Sequence, residues 1–271
     1  MTALPPIVSF WHGALGWLGR VCIASFLEKG HSFALYTYED VGPLPSGCEL
    51  RDANTVIPQS EMFFYKGRRT PAVFADLFRL KLMQQGLGVW VDCDVYCVRP
   101  YADLGDYVVG IEDDHSRWHY GQAVVNNAVF RCPADSELLR LLLTTFEPDA
   151  IPAGMPIRRA IEVRLRRALG QTLPVQDMQF GATGPWPLNH YLRQLDLFRL
   201  AKPRAVFYPI GYDDAPRLLT PGLALPDIVQ PETLSVHLWH SALTERGTGK
   251  LRAPAPGSFF AQEVARLGVA P

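Results

Sequence analysis

The 271-residue chain sets 26 Lys and Arg against 27 Asp and Glu for a formal charge of −1, which excludes a protein whose whole surface grips nucleic acid. Apolar residues make up 48% and charged residues 20%, enough to fill a substantial core and too apolar for a disordered chain. Cysteines 22, 48, 93, 97 and 132 fall into no disulfide or zinc spacing, and neither a leader-like segment nor a membrane-length apolar run is visible, so the expectation is a cytoplasmic protein without a transmembrane segment.

Ile7, Val8, Ser9 and Phe10 form a short apolar run that ends in Trp11-His12-Gly13, the pattern of a buried strand opening into a glycine-bearing loop. Residues 20–29 show helical periodicity stopped by Gly30, and 32–38 alternate as a strand does. Pro71 then precedes a helix over 72–85, which Gly86 and Gly88 end before the apolar strand Val89-Trp90-Val91. Further strands are expected at 107–111 and 124–130, a helix at 136–146, and a mostly helical stretch over 148–203. Strands are expected again at 206–208 and 235–238, with a last helix at 258–267. With no internal repeat and no linker, the order predicts a single α/β domain over 1–271 with a helical insert at roughly 148–203.

The strand at 89–91 runs into Asp92-Cys93-Asp94. In extended chain that spacing points both carboxylates the same way, at the strand end where open α/β sheets place their ligands. Paired oxygen anions suit Mg²⁺ or Mn²⁺, which can bridge the phosphates of a nucleoside diphosphate. A solvated turn would read the same way, because Asp is common in turns. So would a metal-dependent phosphatase of the haloacid-dehalogenase type, which presents an aspartyl nucleophile after a hydrophobic strand. That family wants Thr or Val two residues past the second Asp, where this chain has Tyr96.

The upstream helix carries Asp76 and Arg79 on one face, which in isolation reads as a surface ion pair. Read together, Ala75-Asp76-Leu77-Phe78-Arg79, Gly86-Leu87-Gly88-Val89-Trp90-Val91-Asp92-Cys93-Asp94 and Arg99-Pro100 resemble the D-x-x-R…G-G-x-Y-x-D-x-D…P block of glycosyltransferase family 32. These DXD sugar-binding transferases are similar in turn to the catalytic domain of large glucosylating bacterial toxins. Leu87 replaces the first glycine of the usual pair, and Trp90 stands where Tyr is common. Phe10-Trp11-His12-Gly13, Asn127-Ala128-Val129-Phe130, Thr183-Gly184-Pro185 and His237-Leu238-Trp239-His240-Ser241 follow the family's remaining segments in order.

The resemblance implies a GT-A fold, a Rossmann-like mixed sheet flanked by helices, and a retaining transfer of a hexose from a nucleotide-sugar donor. UDP is the expected carrier, with GDP the alternative. The acceptor, a glycan, a lipid-linked molecule or a protein, is left open, and polysaccharide biosynthesis is the expected setting. It further implies that Asp94 ligates the metal directly, Asp92 reaches the ribose or the metal, and His237 completes the metal shell. Asp76 and Arg79 would hold sugar and diphosphate oxygens, Trp11 the base and Asn127 sugar hydroxyls, with Trp239 among the donor contacts. Trp11, Trp239 and His237 read equally as packed core residues.

Two other features stand outside that set. His115 and His119 near Glu112-Asp113-Asp114 have metal-ligand spacing, although the surrounding polarity reads as a surface loop. Residues 157–169 hold five arginines and one glutamate, with Ile157, Ala160, Ile161, Leu165 and Leu169 in one apolar stripe. The first reading is a solvated helix packed by that stripe. The second is a site for anionic lipid at the inner face of a membrane, or for a lipid-phosphate acceptor. The 235–250 segment, flanked by Pro- and Gly-rich stretches, reads as a lid over the donor or as a plain edge strand. A non-catalytic nucleotide- or carbohydrate-binding module is the remaining alternative.

Overall fold

In the computed structural model, residues 3–65, 70–116, 121–171, 173–179, 181–245 and 248–269 are described. Strands β1 (Ile7–Phe10), β2 (Phe33–Thr37), β3 (Cys48–Asp52), β4 (Val89–Val91), β6 (Val108–Ser116) and β7 (Gln122–Arg131) form a six-stranded sheet in the order β3-β2-β1-β4-β7-β6. The first four run parallel, and β7 and β6 join antiparallel. Strand β5 (Val95–Cys97) pairs antiparallel with β8 (Ser235–His237) in a small second sheet. The expected α/β class, a mixed sheet flanked by helices, is what forms.

The helices cover both faces because the strands bury both. In β4, Val89 and Val91 enter a core shared with Ile23 and Phe26 of α1 (Trp17–Glu28). Trp90 between them enters the opposite core with Phe74 and Phe78 of α2 (Ala72–Gln84). That alternation is the period of an extended chain buried on both sides. Helices α3 (Glu137–Leu143) and α5 (Pro185–Gln194) complete the α2 side, while α7 (Phe259–Arg266) packs beside α1.

After α2, the chain turns tightly under β1. Gly88 has φ +139°, and a Cβ there would lie 2.3 Å from the Pro6 carbonyl oxygen. Only glycine fits that approach, which lets the Val89 N–H donate to the same carbonyl at 2.9 Å. The glycine absent from the family's usual pair is therefore not the one the turn requires.

Strand order also explains where ligands can enter. From β1 the chain crosses to β2 on one side and returns later to β4 on the other. The carboxyl ends of β1 and β4 thus flank the point where the sheet's winding reverses, and open α/β sheets leave a crevice there.

Three expectations are corrected. Residues 206–208 form no strand: α6 spans Arg204–Phe207. The strand-like contact lies just before it, where Lys202 exchanges backbone hydrogen bonds with Val109 and Ile111, and Pro203, without an N–H, ends the pairing. Strands β3 and β5 were not expected, since Cys48-Glu49-Leu50-Arg51-Asp52 is a charged edge and β5 is only three residues long. Helix α4 (Ile157–Ala168) forms within the insert, but its apolar stripe is not packed: among its residues only Val163 is buried. Between 148 and 200 the described residues otherwise form α5 and short 3₁₀ turns.

Candidate active site

Asp92 closes β4, and its N–H donates to the Ala128 carbonyl of β7 at 2.8 Å. Residues 93–94 then turn rather than extend, with the Val95 N–H returning to the Asp92 carbonyl at 3.0 Å. Despite the turn, Asp92, Asp94 and His237 each offer a ligand atom within 4.8 Å of the others. Pairing of β5 with β8 makes this possible, since Val95 lies opposite His237.

On the α2 side, Arg79 is buried at 4% exposure, so the Asp76–Arg79 pair is no surface feature. Its guanidinium reaches Asp76 Oδ1 at 3.1 Å and Asp92 Oδ1 at 3.0 Å, and its charge lies 4.7 Å from the centre of the Trp90 ring. The planar fork spans two carboxylates that a point charge could not hold in one geometry. Asp76 also accepts from Asn127 Nδ2 at 2.8 Å and Thr183 Oγ1 at 2.7 Å, and Asp92 accepts from the Trp90 indole at 2.6 Å. Asp76, Arg79, Asn127, Thr183 and Gly184 line one small cavity. A Cβ on Gly184 would sit 2.8 Å from Asn127 Nδ2 and 3.0 Å from both Asp76 oxygens, so this glycine gives the network room.

Asp94 has different partners. His237 Nε2 lies 3.4 Å from its Oδ2, and the His240 backbone N–H donates to the same oxygen at 2.6 Å. Trp239, between them, takes φ +55°, a left-handed conformation rare for a bulky residue. That turn swings the His240 amide back toward Asp94. The cost, on the order of 1–3 kcal/mol, is offset by packing: the Trp239 ring lies 4.2 Å from His237 and its indole donates to the Ile210 carbonyl at 3.1 Å.

These surroundings separate the two carboxylates. Desolvation raises Asp92 to about 6, with Arg79 pulling the other way and Asp94 adding to the rise. Desolvation also acts on Asp94, but the attraction and hydrogen bond of His237 and the His240 amide outweigh it and hold Asp94 at about 2. Burial works against a charged His237, yet Asp94, Asp92 and Glu112 raise its pKa above the ordinary value. His237 Nδ1 is buried without a hydrogen-bond partner among the described residues. Two carboxylates and an imidazole with one unpaired nitrogen are a donor set that suits a divalent cation such as Mn²⁺ or Mg²⁺.

The structure therefore brings Asp76, Arg79, Asp92, Asp94, Asn127 and His237 into one constellation. Trp11, half-buried at the end of β1, touches it through His240, with ring centres 5.8 Å apart. Trp239 is half-buried, packed on His237, Tyr208 and Tyr212. Residues 235–238 are buried, and Ser235–His237 pair with β5, the packing that the strand reading expects for this part of the 235–250 segment. His115 is exposed on β6, with no helix or loop at residues 108–116, and His119 lies outside the described residues.

Three contributions were given no role at the site by the sequence reading, those of Trp90, Thr183 and the His240 amide. Trp90 was accessible, because a residue two before Asp92 on a strand shares its face. The other two come from more than 100 residues away in sequence.

No family model matches the chain, and no curated protein matches it. Among solved structures it is similar to one described as "PaToxG Glycosyltransferase", at 13% identity and a TM-score of 0.40, over 72% of this chain and 76% of that one. It is also similar to "WbbM bifunctional glycosytransferase apo structure", at 12% identity and a TM-score of 0.39, over all of this chain and half of that one. At this level of likeness, activity has to be argued from the residues. No helix among the described residues is long and apolar enough to cross a membrane.

Proposed function

We propose that the chain is a metal-dependent glycosyltransferase of GT-A type, a single catalytic unit over residues 1–271 that moves a hexose from a UDP-linked donor to an acceptor hydroxyl. The observation that carries this reading is the meeting of Asp92, Asp94 and His237 beside the buried Asp76–Arg79 pair, at the sheet's reversal point. Held by Asp94, Asp92 and His237, Mn²⁺ or Mg²⁺ would neutralise charge developing on a leaving diphosphate.

The protein's own groups supply the rest. Arg79 is positioned to hold donor oxygens with a fork already oriented by two carboxylates. Asp76 accepts sugar hydroxyls in the places where it now accepts Thr183 and Asn127, and Asn127 contributes its amide to the same sugar. Trp11 offers a half-exposed ring to a flat pyrimidine. Asp76, Asp92 and Asp94 are occupied by the network above, and Glu112, a further acid near His237, accepts from Asn126 Nδ2 at 2.9 Å; none of them is assigned as a covalent nucleophile. Retention then follows a front-face path in which the leaving phosphate takes the acceptor proton. Cytoplasmic polysaccharide biosynthesis is the setting that fits such chemistry.

The test is a screen of UDP- and GDP-sugars for Mn²⁺-dependent hydrolysis and for a rise in melting temperature, as any ligand selective for the folded state must produce. Turnover of one UDP-hexose, abolished in Asp94→Ala with an unchanged far-ultraviolet spectrum, supports the reading. Metal-dependent release of phosphate from simple phosphoesters, with no response to any sugar nucleotide, would replace it with the phosphatase. Binding of UDP without turnover of any donor would leave a binding module.

A further inference from the structure

Helix α4 is unlike the other described helices in what it shows to solvent. Seven large apolar side chains are markedly exposed among the described residues, and four of them belong to this helix and its next residue. Ile157 is 74% exposed, Ile161 46%, Leu165 60% and Leu169 76%. At 100° per residue these four fall within one sector whose centre lies about 180° from Val163, the residue by which α4 is anchored. The stripe therefore points straight away from the protein.

The charge around the stripe is strongly one-signed. Residues 157–169 hold Arg158, Arg159, Arg164, Arg166 and Arg167 against Glu162, a net +4 in a chain whose total is −1. On the same wheel Arg164 lies about 20° outside the Ile157 edge of the stripe and Arg158 falls within its far side near Leu169, and neither forms an ion pair among the described residues. Arg159 and Arg166 share Glu162 at 2.9 and 3.0 Å. An apolar stripe edged by unpaired guanidinium groups is complementary to a surface that is apolar below and anionic above.

We infer that α4 is a docking surface for a lipid bilayer containing anionic headgroups, lying in the interface with Ile157, Ile161, Leu165 and Leu169 toward the acyl chains. A second copy of the chain is a poorer occupant, since a two-fold contact through this face would set +4 against +4. The inference is independent of the reaction assigned to the cavity. It does bear on geometry, because the chain continues from α4 to Thr183, whose hydroxyl holds Asp76.

The test is co-sedimentation of the full chain with vesicles of phosphatidylcholine alone or with about 30% phosphatidylglycerol, at low and high salt. The expected result is binding at least about tenfold tighter to the anionic vesicles, weakened by salt. Ile161→Gln/Leu165→Gln should lower it at least about tenfold, and Arg158→Gln/Arg164→Gln should remove most of the preference for anionic lipid. All four side chains lie on the surface, so thermal melts of both variants should match the parent; if the apolar pair melts early, the arginine pair alone decides. Equal affinity for both vesicle types, or none for either, overturns the inference. So does a dimer seen by ultracentrifugation without lipid and lost in Ile161→Gln/Leu165→Gln, which would assign the stripe to a second copy.

Discussion

Helices α2 and α4 are nearly equal in length, at 13 and 12 residues, and each carries arginine beside an apolar stripe. In α2 seven residues are buried, Arg79 among them; in α4 one is. Arg79 spends its charge on Asp76 and Asp92 inside the fold, whereas in α4 Arg158 and Arg164 form no ion pair among the described residues, Arg159 and Arg166 share Glu162, and Arg167 donates to the Ala150 carbonyl. What separates the two helices is what lies against them. Helix α2 rests on the central strands, so its polar face must find partners in the protein. Helix α4 meets the fold at Val163 and through the Arg167 bond to Ala150, and keeps its apolar stripe outward.

The largest consequence follows from removing one arginine from each helix. Arg79→Met would leave two carboxylates near each other without their shared counter-charge. Breaking a buried pair costs about 3–5 kcal/mol, and the lower end is expected here because the Asp92 side chain keeps 31% exposure. Arg164→Met should change stability by less than about 0.5 kcal/mol, as surface substitutions do. Urea titrations of the two variants check this directly. Similar losses in both would mean that α4 is as closely packed as α2. Arg79→Lys refines the point: it retains charge but not the fork, so turnover should fall while most of the stability remains.

A smaller effect is expected at Gly184, where the insert meets the α2 side. Gly184 precedes α5 with φ −112° and ψ −95°, and Gly184→Ala would place a methyl there. The added methyl would collide with Asn127 Nδ2 and Asp76, as described above. Displacing that amide loses one hydrogen bond, about 1 kcal/mol of stability, but misplaces the group proposed to hold the sugar. The expected outcome is a drop in kcat/KM of at least about tenfold with only a modest change in melting temperature. Unaltered kinetics would detach Asn127 from the site.

Burial of a polar group can also be tested without touching either helix. His31 is 3% exposed; its Nδ1 lies 2.9 Å from the Pro5 carbonyl and its Nε2 accepts the Tyr101 N–H at 2.9 Å. Those partners require the neutral ring, and burial lowers its pKa from 6.5 against the weaker opposing effect of the Pro5 bond. The unfolded chain therefore takes up the proton first. Stability from this group is complete above pH 6.5 and declines as pH falls from there toward the folded pKa. Melting temperature should decrease across that window, and His31→Gln should flatten the decrease. An unchanged slope would show that other groups govern it.

How far the sequence could be read follows the same division. Strand β4, helix α2 and the pairing of Asp76 with Arg79 were legible because they lie within one short stretch, with a strong period and two glycines marking the turn, whereas the second bond of Arg79, to Asp92 thirteen residues on, was not read. The resemblance named Asp92, Asp94 and His237 together, but their meeting rests on the register between β5 and β8, which joins Val95 to His237 and is too short to leave a pattern of its own. The His240 amide was invisible for another reason: a backbone N–H has no residue identity, and only the left-handed turn at Trp239 aims it. For α4 the stripe itself was plain. That it faces outward was not, since periodicity gives a face and says nothing of what covers it.

The finest distinction lies in the one acid of α4. Glu162 is held below the ordinary carboxylate range by its hydrogen bond with Arg159, followed by the attraction of Arg159 and the bond from Arg166. Its contribution to stability is present above the ordinary carboxylate pKa and lost as pH falls through the lowered one, but exposed pairs of this kind are strongly screened. Glu162→Gln should therefore leave the melting temperature at neutral pH close to that of the parent. Its effect on docking should have the opposite sign to a loss. The substitution raises the local charge of α4 by one and frees Arg159 and Arg166 from their shared partner, so affinity for anionic vesicles should rise severalfold at low salt. The gain should disappear at high salt, where headgroup attraction is screened. For Arg79 of α2 the equivalent step is Asp92→Asn at the end of β4, which would strip it of a counter-charge and weaken both fold and site. If Glu162→Gln instead lowered vesicle binding, the carboxylate would be ordering the arginines for docking, and α4 would resemble α2 in depending on its internal pairs.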